Sequence, residues 1–267
     1  MIKELAELED LRALENLFAE VWRRPAEPPI SAGMMKALSH SGNYVAGAYT
    51  DDRLTGGLVG WLGGAAYGET VHLHSHILGV LARSEARGLG FELKQHQRRW
   101  CLERHIMTIE WTTDPLVRRN GYFNLTKLGA QSSRYLVNFY GAMTDGINAG
   151  EESDRLVITW RLDSPQAESA AAGRPAELNV DHLKQQGAEI VLSVGSDGQP
   201  IKGADPTSPP GDLLLCAVPD DIVAVRRTDP ALARSWRIAL RTVMADAFEA
   251  GYEVGGATRS GWYVLRR

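Results

Sequence analysis

The segment Val71–Gly90, VHLHSHILGVLARSEARGLG, constrains the fold of this chain more than any other stretch. Its first half predicts a strand over 71–81, in which the three alternate histidines share one face. After a short turn, Arg87-Gly88-Leu89-Gly90 leads directly into a helical pattern over 88–104. A strand that runs through glycines into a helix is typical of an α/β domain.

The glycine pair in this segment predicts a binding loop for a phosphate group. Glycines at the start of a helix let a ligand approach the backbone, and the unpaired N–H groups there favour an anion. The dinucleotide fingerprint needs a third glycine and the P-loop needs Gly-Lys-Ser/Thr, and neither pattern is present. We therefore predict that Gly88–Gly90 forms a different kind of pyrophosphate-binding loop. The alternative is that these glycines only allow a tight turn.

Hydrophobic periodicity predicts a mixed α/β order up to residue 162. The predicted helices cover residues 10–22, 32–38, 88–104 and 118–128. The predicted strands cover residues 1–6, 43–50, 54–63, 71–81, 106–111, 135–140 and 155–162. We interpret residues 1–162 as one domain.

The remaining chain divides into a linker and an extension. Residues 163–177, DSPQAESAAAGRPAE, are rich in Ala, Ser and Pro and predict a surface linker. Residues 178–267 then combine apolar strands with a long amphipathic helix over 231–250, so they predict a folded C-terminal α/β extension. Two roles are open for this extension: it could close over the acceptor site, or it could form the contact of a homodimer.

Composition excludes several classes of function. The net charge of −4 gives no electrostatic reason to bind nucleic acid. The two cysteines lack the Cys-x-x-Cys pairing of a zinc ribbon and are too few for a disulfide scaffold. The charged N-terminus resembles no signal peptide, and no apolar run is long enough to cross a membrane. We expect a cytoplasmic protein that binds no membrane.

Two stretches resemble the acyl-CoA signature of the GNAT N-acetyltransferase superfamily: Leu78-Gly79-Val80-Leu81 and Arg87-Gly88-Leu89-Gly90-Phe91. In that family, strand four leads into [Gln/Arg]-x-x-Gly-x-[Gly/Ala] at the head of a helix. More narrowly, HSHILGV, WTTDPL, RNGYFN and KLGA are similar to an uncharacterised subgroup of predicted acyltransferases in the superfamily. One departure is Glu85, which stands at the usual Gln or Arg position.

The resemblance implies a GNAT fold, whose mixed central sheet has splayed strands four and five. It also implies acetyl-CoA or another acyl-CoA as co-substrate, and no metal. The pantetheine arm would then bind the backbone at Leu78 and Val80. The residues that the resemblance places around the pyrophosphate, adenine and remaining phosphates are Arg87, Gly88, Leu89, Gly90, Phe91, Asn120 and Asn124.

Acyl transfer to an amine needs a base, and often an acid for the leaving thiolate. His74 and His76 lie on the relevant strand and have pKa values suited to proton transfer, although half-buried structural histidines would give the same pattern. Glu110 and Asp114, at the end of the next strand, are the carboxylate candidates, although Asp114 would equally serve as a cap for the helix that follows.

Leu125 stands at the position of the tyrosine that the family often uses as acid. Tyr122 and Tyr140 are two candidate substitutes, unless both are packing residues, and Tyr140 is the one we predict to be catalytic.

We therefore expect an N-acyltransferase that moves an acetyl or other short acyl group to a primary amine of a small molecule, with amino acids among the acceptors. Neither cysteine lies near the predicted site in the chain, so direct attack in a ternary complex is expected. Leu125 and Glu85 favour the alternative, a catalytically idle GNAT fold that binds acyl-CoA as a sensor or assembly module. A metal-dependent hydrolase built on the histidines is a third hypothesis.

Overall fold

The computed structural model describes residues 1–64, 71–82, 88–141, 152–208 and 211–267. The strands are β1 (Ile2–Glu4), β2 (Tyr44–Thr50), β3 (Arg53–Gly63), β4 (His72–Val80), β5 (Thr108–Thr113), β6 (Gln131–Leu136), β7 (Arg155–Arg161), β8 (Glu189–Val194), β9 (Pro200–Lys202), β10 (Leu213–Ala217), β11 (Glu253–Ala257) and β12 (Trp262–Arg266). The helices are α1 (Leu8–Val21), α2 (Ala32–His40), α3 (Leu89–Leu102), α4 (Arg118–Gly121), α5 (Pro165–Ala171), α6 (Val180–Gln185), α7 (Ile222–Thr228) and α8 (Pro230–Glu249). The expected α/β class with parallel and antiparallel pairing is confirmed.

The chain divides into two compact units, of which the first is Met1–Trp111. Its strand order is β1-β2-β3-β4-β5, antiparallel from β1 to β4 and parallel between β4 and β5. Helices pack on both faces of this sheet. A Cβ on Gly57 would meet Leu14 of α1, whereas one on the adjacent Gly56 would meet Leu89 of α3.

The second unit contains residues 112–141 and 152–267 of the described chain. Its strand order is β7-β6-β11-β12-β10-β8-β9, and among the described pairs of this unit β10–β8 is parallel and the others are antiparallel. The long helix α8 buries one face, with Trp236, Leu240 and Met244 among its fully buried side chains. Throughout the described ranges, no helix has the length and apolar character needed to cross a membrane.

Three predicted segments differ from the structure. The predicted linker contains α5, because Ser164 caps the helix and Ala167 and Ala170 are buried. The strand predicted over 135–140 is β6 at Gln131–Leu136, and Asn138 has a φ of 47° that an extended strand does not permit. The helix predicted over 118–128 is α4 followed by a π-helical segment, Tyr122–Lys127.

The division between the units also differs from the boundaries expected at 162 and 178. Those boundaries stay a prediction, since a compact unit is not the same as an independently folding domain. The structure does show that residues 178–267 are folded, with helices and paired strands throughout their described part.

Candidate functional site

Strand β4 of the first unit is paired differently along its two edges. Its β3 edge is paired from His72–Gly63 to Val80–Gly56. On the other edge, Leu73 pairs with Ile109 and His74 pairs with Glu110, and the described part of β5 pairs with no later residue of β4. Backbone groups on this second edge, beyond His74, are therefore available to an extended ligand.

A β-bulge interrupts β4 at His76. Gly60 pairs with Ser75 and Val59 pairs with Ile77, so His76 is the extra residue. Before the bulge Ser75 contacts α3, whereas after it Ile77 packs into the core made with α1 and α2. The bulge thus reverses which residues of β4 face each side, and bulges of this kind often re-aim side chains beside active sites.

Imidazole and carboxylate groups meet at the paired end of β4. His74 lies directly opposite Glu110 in the register, and His72 Nε2 lies 4.0 Å from Glu110 Oε2. The His72 ring lies against Gly63, where a Cβ would come within 2.3 Å of Nε2. The structure therefore brings together the predicted catalytic residues His74, His76 and Glu110, which the sequence placed on separate positions of two strands.

Burial controls the ionisation of these histidines. Desolvation, together with the smaller effects of His76 and His72 and against the opposing charge of Glu110, lowers the pKa of His74 to about 4. Desolvation also lowers the pKa of His76. Both rings are therefore neutral near pH 7, which is the form that accepts a proton from an ammonium group.

A buried polar cluster lies on the α3 side of the same strand. Lys94 Nζ donates to Ser75 Oγ and to Gln97 Oε1, each at 3.0 Å, and lies 3.7 Å from the centre of the Trp111 ring. Burial lowers the pKa of Lys94 to about 7. Lys94 thus connects β4 to β5 near the point where their pairing ends.

The predicted pyrophosphate seat is at the start of α3. Gly88 is the N-cap residue with a φ of 84°, and no side chain caps the helix there. Within the part of the chain that the structure describes, a Cβ on Gly90 would meet Leu78 Cδ2 alone, at 3.7 Å. The first N–H groups of a helix have no acceptor within it, so a phosphate can approach this backbone closely. Arg87 and Glu85 lie outside the described residues.

The bulge sets the orientation of Leu78 and Val80, the two residues predicted to bind the pantetheine arm. The side chains of Leu78 and Val80 face α3, since Leu78 lies near Gly90 and Val80 lies near Gly56. Leu81 donates its N–H to Thr55 on the β3 side. Backbone alternation therefore directs the N–H of Val80 toward the other edge of β4. Leu89 and Phe91 belong to the first turn of α3, as predicted.

The other predicted residues are in the second unit. Tyr140 is exposed, and its hydroxyl lies 3.2 Å from Thr112 Oγ1. Asn120 is half-buried in α4, and Asn124 is buried in the π-helical segment. Leu125, at the position of the usual acid, is also buried. The roles of Tyr140, Asn120 and Asn124 stay predictions.

Sequence reasoning missed Trp61 and Lys94. Trp61 is the register partner of His74, and a strand pattern alone does not fix which residues face each other across a hairpin. Lys94 follows Leu93 on the buried face of α3. A lysine next to an apolar helical face was the one sequence feature that could have indicated a buried amine. Across the described ranges, no three His, Cys, Asp or Glu side chains converge as a metal site would require.

No protein-family model and no curated protein matches the chain. Solved structures do match it. An aminoglycoside 6'-acetyltransferase type Ii is 19% identical, with a TM-score of 0.47, over 61% of this chain and 98% of that one. Arabidopsis thaliana Naa50, in complex with the bisubstrate analogue CoA-Ac-MVNAL, is 18% identical, with a TM-score of 0.44, over 60% and 96%.

A third match is a Desulfovibrio desulfuricans protein assigned to the GNAT family of acetyltransferases. It is 14% identical to this chain, with a TM-score of 0.48, and the match covers 61% of this chain and 98% of that one. Identities and TM-scores of this size transfer no substrate or activity, so the function is inferred from the chain's own residues.

Proposed function

We propose that this chain is a GNAT-type N-acyltransferase that moves an acetyl or other short acyl group from acyl-CoA to a primary amine of a small molecule. One observation carries the proposal: the same strand, β4, has an open edge that leads to the Gly88–Gly90 turn and, at its paired end, neutral imidazoles beside Glu110. The first feature suits an acyl-CoA and the second suits proton transfer from an amine.

The donor would bind along the open edge of β4. Backbone groups between His76 and Val80 would hold the pantetheine arm, and the first turn of α3 would hold the pyrophosphate through its N–H groups. This seat needs no side-chain cation at the first motif position, so Glu85 does not remove it. The bulge at His76 exposes backbone dipoles where the thioester carbonyl would lie.

The acceptor would approach the side of β4 that carries the imidazoles. His74, with Glu110 beside it, would accept a proton from the bound ammonium group. The free amine would then attack the thioester carbon and form the C–N bond. As the tetrahedral intermediate collapses, the C–S bond breaks, and the proton that the attacking nitrogen still carries passes to the departing thiolate, which leaves the amide and free CoA.

Acetyl transfer in solution tests this proposal. The full chain would be incubated with acetyl-CoA and a panel of primary amines, with free thiol and product mass measured together. We expect one thiol released for each amine that gains an acetyl group. Thiol release with no acylated amine, or no turnover on any amine, would count against the proposal.

A module that binds acyl-CoA without catalysis is the second candidate, because the buried Leu125 stands where the family often has its tyrosine acid. The two functions differ in one measurement. Tight CoA binding by calorimetry combined with no turnover on the amine panel would favour the module, whereas turnover would exclude it.

A further inference from the structure

Four side chains from three adjacent strands form a continuous face, which we call the Trp61 face: Trp61 on β3, His74 and His76 on β4, and Glu110 on β5. The Trp61 ring centre lies 5.1 Å from that of His74 and 4.5 Å from that of His76, with interplanar angles of 36° and 37°. Trp61 and His74 are half-buried and His76 is exposed, so a ligand can reach the stack.

The rings of the Trp61 face carry no charge at neutral pH. The two imidazoles are neutral near pH 7, because burial lowers both of their pKa values. Trp61 is uncharged at every pH, and Glu110 supplies a carboxylate. These four groups therefore present flat, uncharged rings next to the Glu110 carboxylate, which the His72 imidazole also approaches.

From this arrangement we infer that the acceptor is an arylalkylamine, whose ring stacks on Trp61 and His76 and whose ammonium group lies between Glu110 and His74. The inference rests on the proposed acyl transfer and names the acceptor class. Aromatic rings favour stacked or tilted neighbours, and a carboxylate favours a cation. An amino acid would bring its own carboxylate next to Glu110, so like-charge repulsion disfavours it.

The spacing of the strands sets the length of the linker between ring and nitrogen. Adjacent strands lie about 4.8 Å apart, so roughly 10 Å separates the backbones of β3 and β5, the strands that carry Trp61 and Glu110. A ring stacked over Trp61 and His76 can then reach Glu110 with an ammonium group on a chain of about two to four carbons. Phenethylamine satisfies these requirements with the fewest atoms.

Three matched acceptors test the inference on the unaltered chain with acetyl-CoA as donor. Phenethylamine has the ring and no carboxylate, n-hexylamine lacks the ring, and phenylalanine adds a carboxylate. We expect kcat/KM for phenethylamine to exceed that for n-hexylamine about 3- to 10-fold, the value of one aromatic contact. Phenylalanine should be at least about 10-fold poorer than phenethylamine.

The variant Trp61→Leu should bring the phenethylamine to n-hexylamine ratio down to about 1. Leu62→Ala is the matched control, because Leu62 is the adjacent exposed residue of the same strand and should leave the ratio unchanged. If Trp61→Leu does not fold, the acceptor panel still decides the question.

Two outcomes would overturn the inference while leaving acyl transfer intact: equal use of n-hexylamine, or a preference for phenylalanine. Acylation of none of the three amines would instead contradict the proposed function. Calorimetric titration of the CoA-bound chain with phenethylamine and with n-hexylamine then measures acceptor binding to the Trp61 face independently of catalysis. Tighter binding of phenethylamine supports the inference, and equal affinities overturn it.

Discussion

The two units bury ionisable groups in opposite ways. Lys94 in the first unit is completely buried with the neutral partners Ser75 and Gln97, and its pKa falls to about 7. In the second unit, burial alone would raise the pKa of Asp114, but hydrogen bonds and charge from Arg237 and Arg226 hold it well below its usual range.

The two clusters respond differently to the loss of a partner. A carboxylate held by two guanidinium groups stays charged, and removing it would leave buried positive charge uncompensated. A desolvated amine costs stability, and perturbed groups of this kind concentrate at functional sites. The contrast supports our proposal that the chemistry lies at β4, whereas the ion cluster belongs to the framework of the second unit.

The largest expected effect comes from removing the negative charge of Asp114. Asp114→Asn leaves Arg226 and Arg237 buried against an uncharged amide, and we expect a loss of about 3–5 kcal/mol in the free energy of unfolding. Urea unfolding measures it. Asp205→Asn, an exposed control, should unfold at the wild-type urea concentration. Equal midpoints for the two variants would show that the cluster is not structural.

The opposite result is expected for His74. His74→Asn should lower kcat for acetyl transfer about 100-fold, because a general base is lost, while the urea midpoint stays near that of the wild type. The lowered pKa of His74 keeps its imidazole unprotonated at neutral pH, so the activity that depends on it should fall only as the pH drops toward about 4.

His40→Asn, a substitution at the exposed end of α2, is the control and should keep the wild-type kcat. A His74 variant with normal kcat and lowered stability would make this histidine structural and remove the contrast with Asp114.

Lys94 gives a smaller effect, visible in the pH dependence of stability. Its folded pKa of about 7 lies below the ordinary value of 10.5, so between these values the unfolded chain binds more protons. Stability should therefore rise with pH across this window, by up to ~1.4 kcal/mol per pH unit.

Urea unfolding at pH 7, 8 and 9 tests this slope against that of Lys94→Met, in which the contribution is absent. Other groups titrate in the same range, and the difference between the two proteins isolates Lys94. Parallel slopes would mean that Lys94 keeps its ordinary pKa in the folded protein.

Most elements could be predicted from periodicity, whereas helix α5, the bounds of β6 and the π-helical segment Tyr122–Lys127 could not. Strand β8 and helix α8 follow clear apolar patterns, and the structure has them at Glu189–Val194 and Pro230–Glu249. Ala, Ser and Pro are common both in linkers and at the start of short helices, so composition does not reveal helix α5. The burial of Ala167 and Ala170 in the folded chain favours the helix. Gly129, with a φ of 72°, ends the helical segment near the predicted residue.

The site was less predictable than the fold. The glycine turn and the histidines were visible in the sequence because each is a local pattern. The bulge at His76 and the stacking of Trp61 depend on the register of β3 against β4, which no spacing within one strand reveals. Lys94 contacts Ser75 across 19 positions of sequence, so its place under the strand required the packed structure.

The most direct test of the central claim, that the start of α3 is an acyl-CoA seat beside β4, is calorimetric titration of CoA into Gly90→Ala. Among the described residues the new methyl group meets Leu78, at an ordinary contact distance, so the variant should fold normally. It nevertheless occupies the space that a phosphate would need.

Loss of one backbone hydrogen bond to a charged phosphate predicts affinity for CoA about 10-fold below that of the wild type. Gly33→Ala, on the remote helix α2, is the matched control and should bind CoA as the wild type does. Undiminished CoA binding by a folded Gly90→Ala variant would contradict the account.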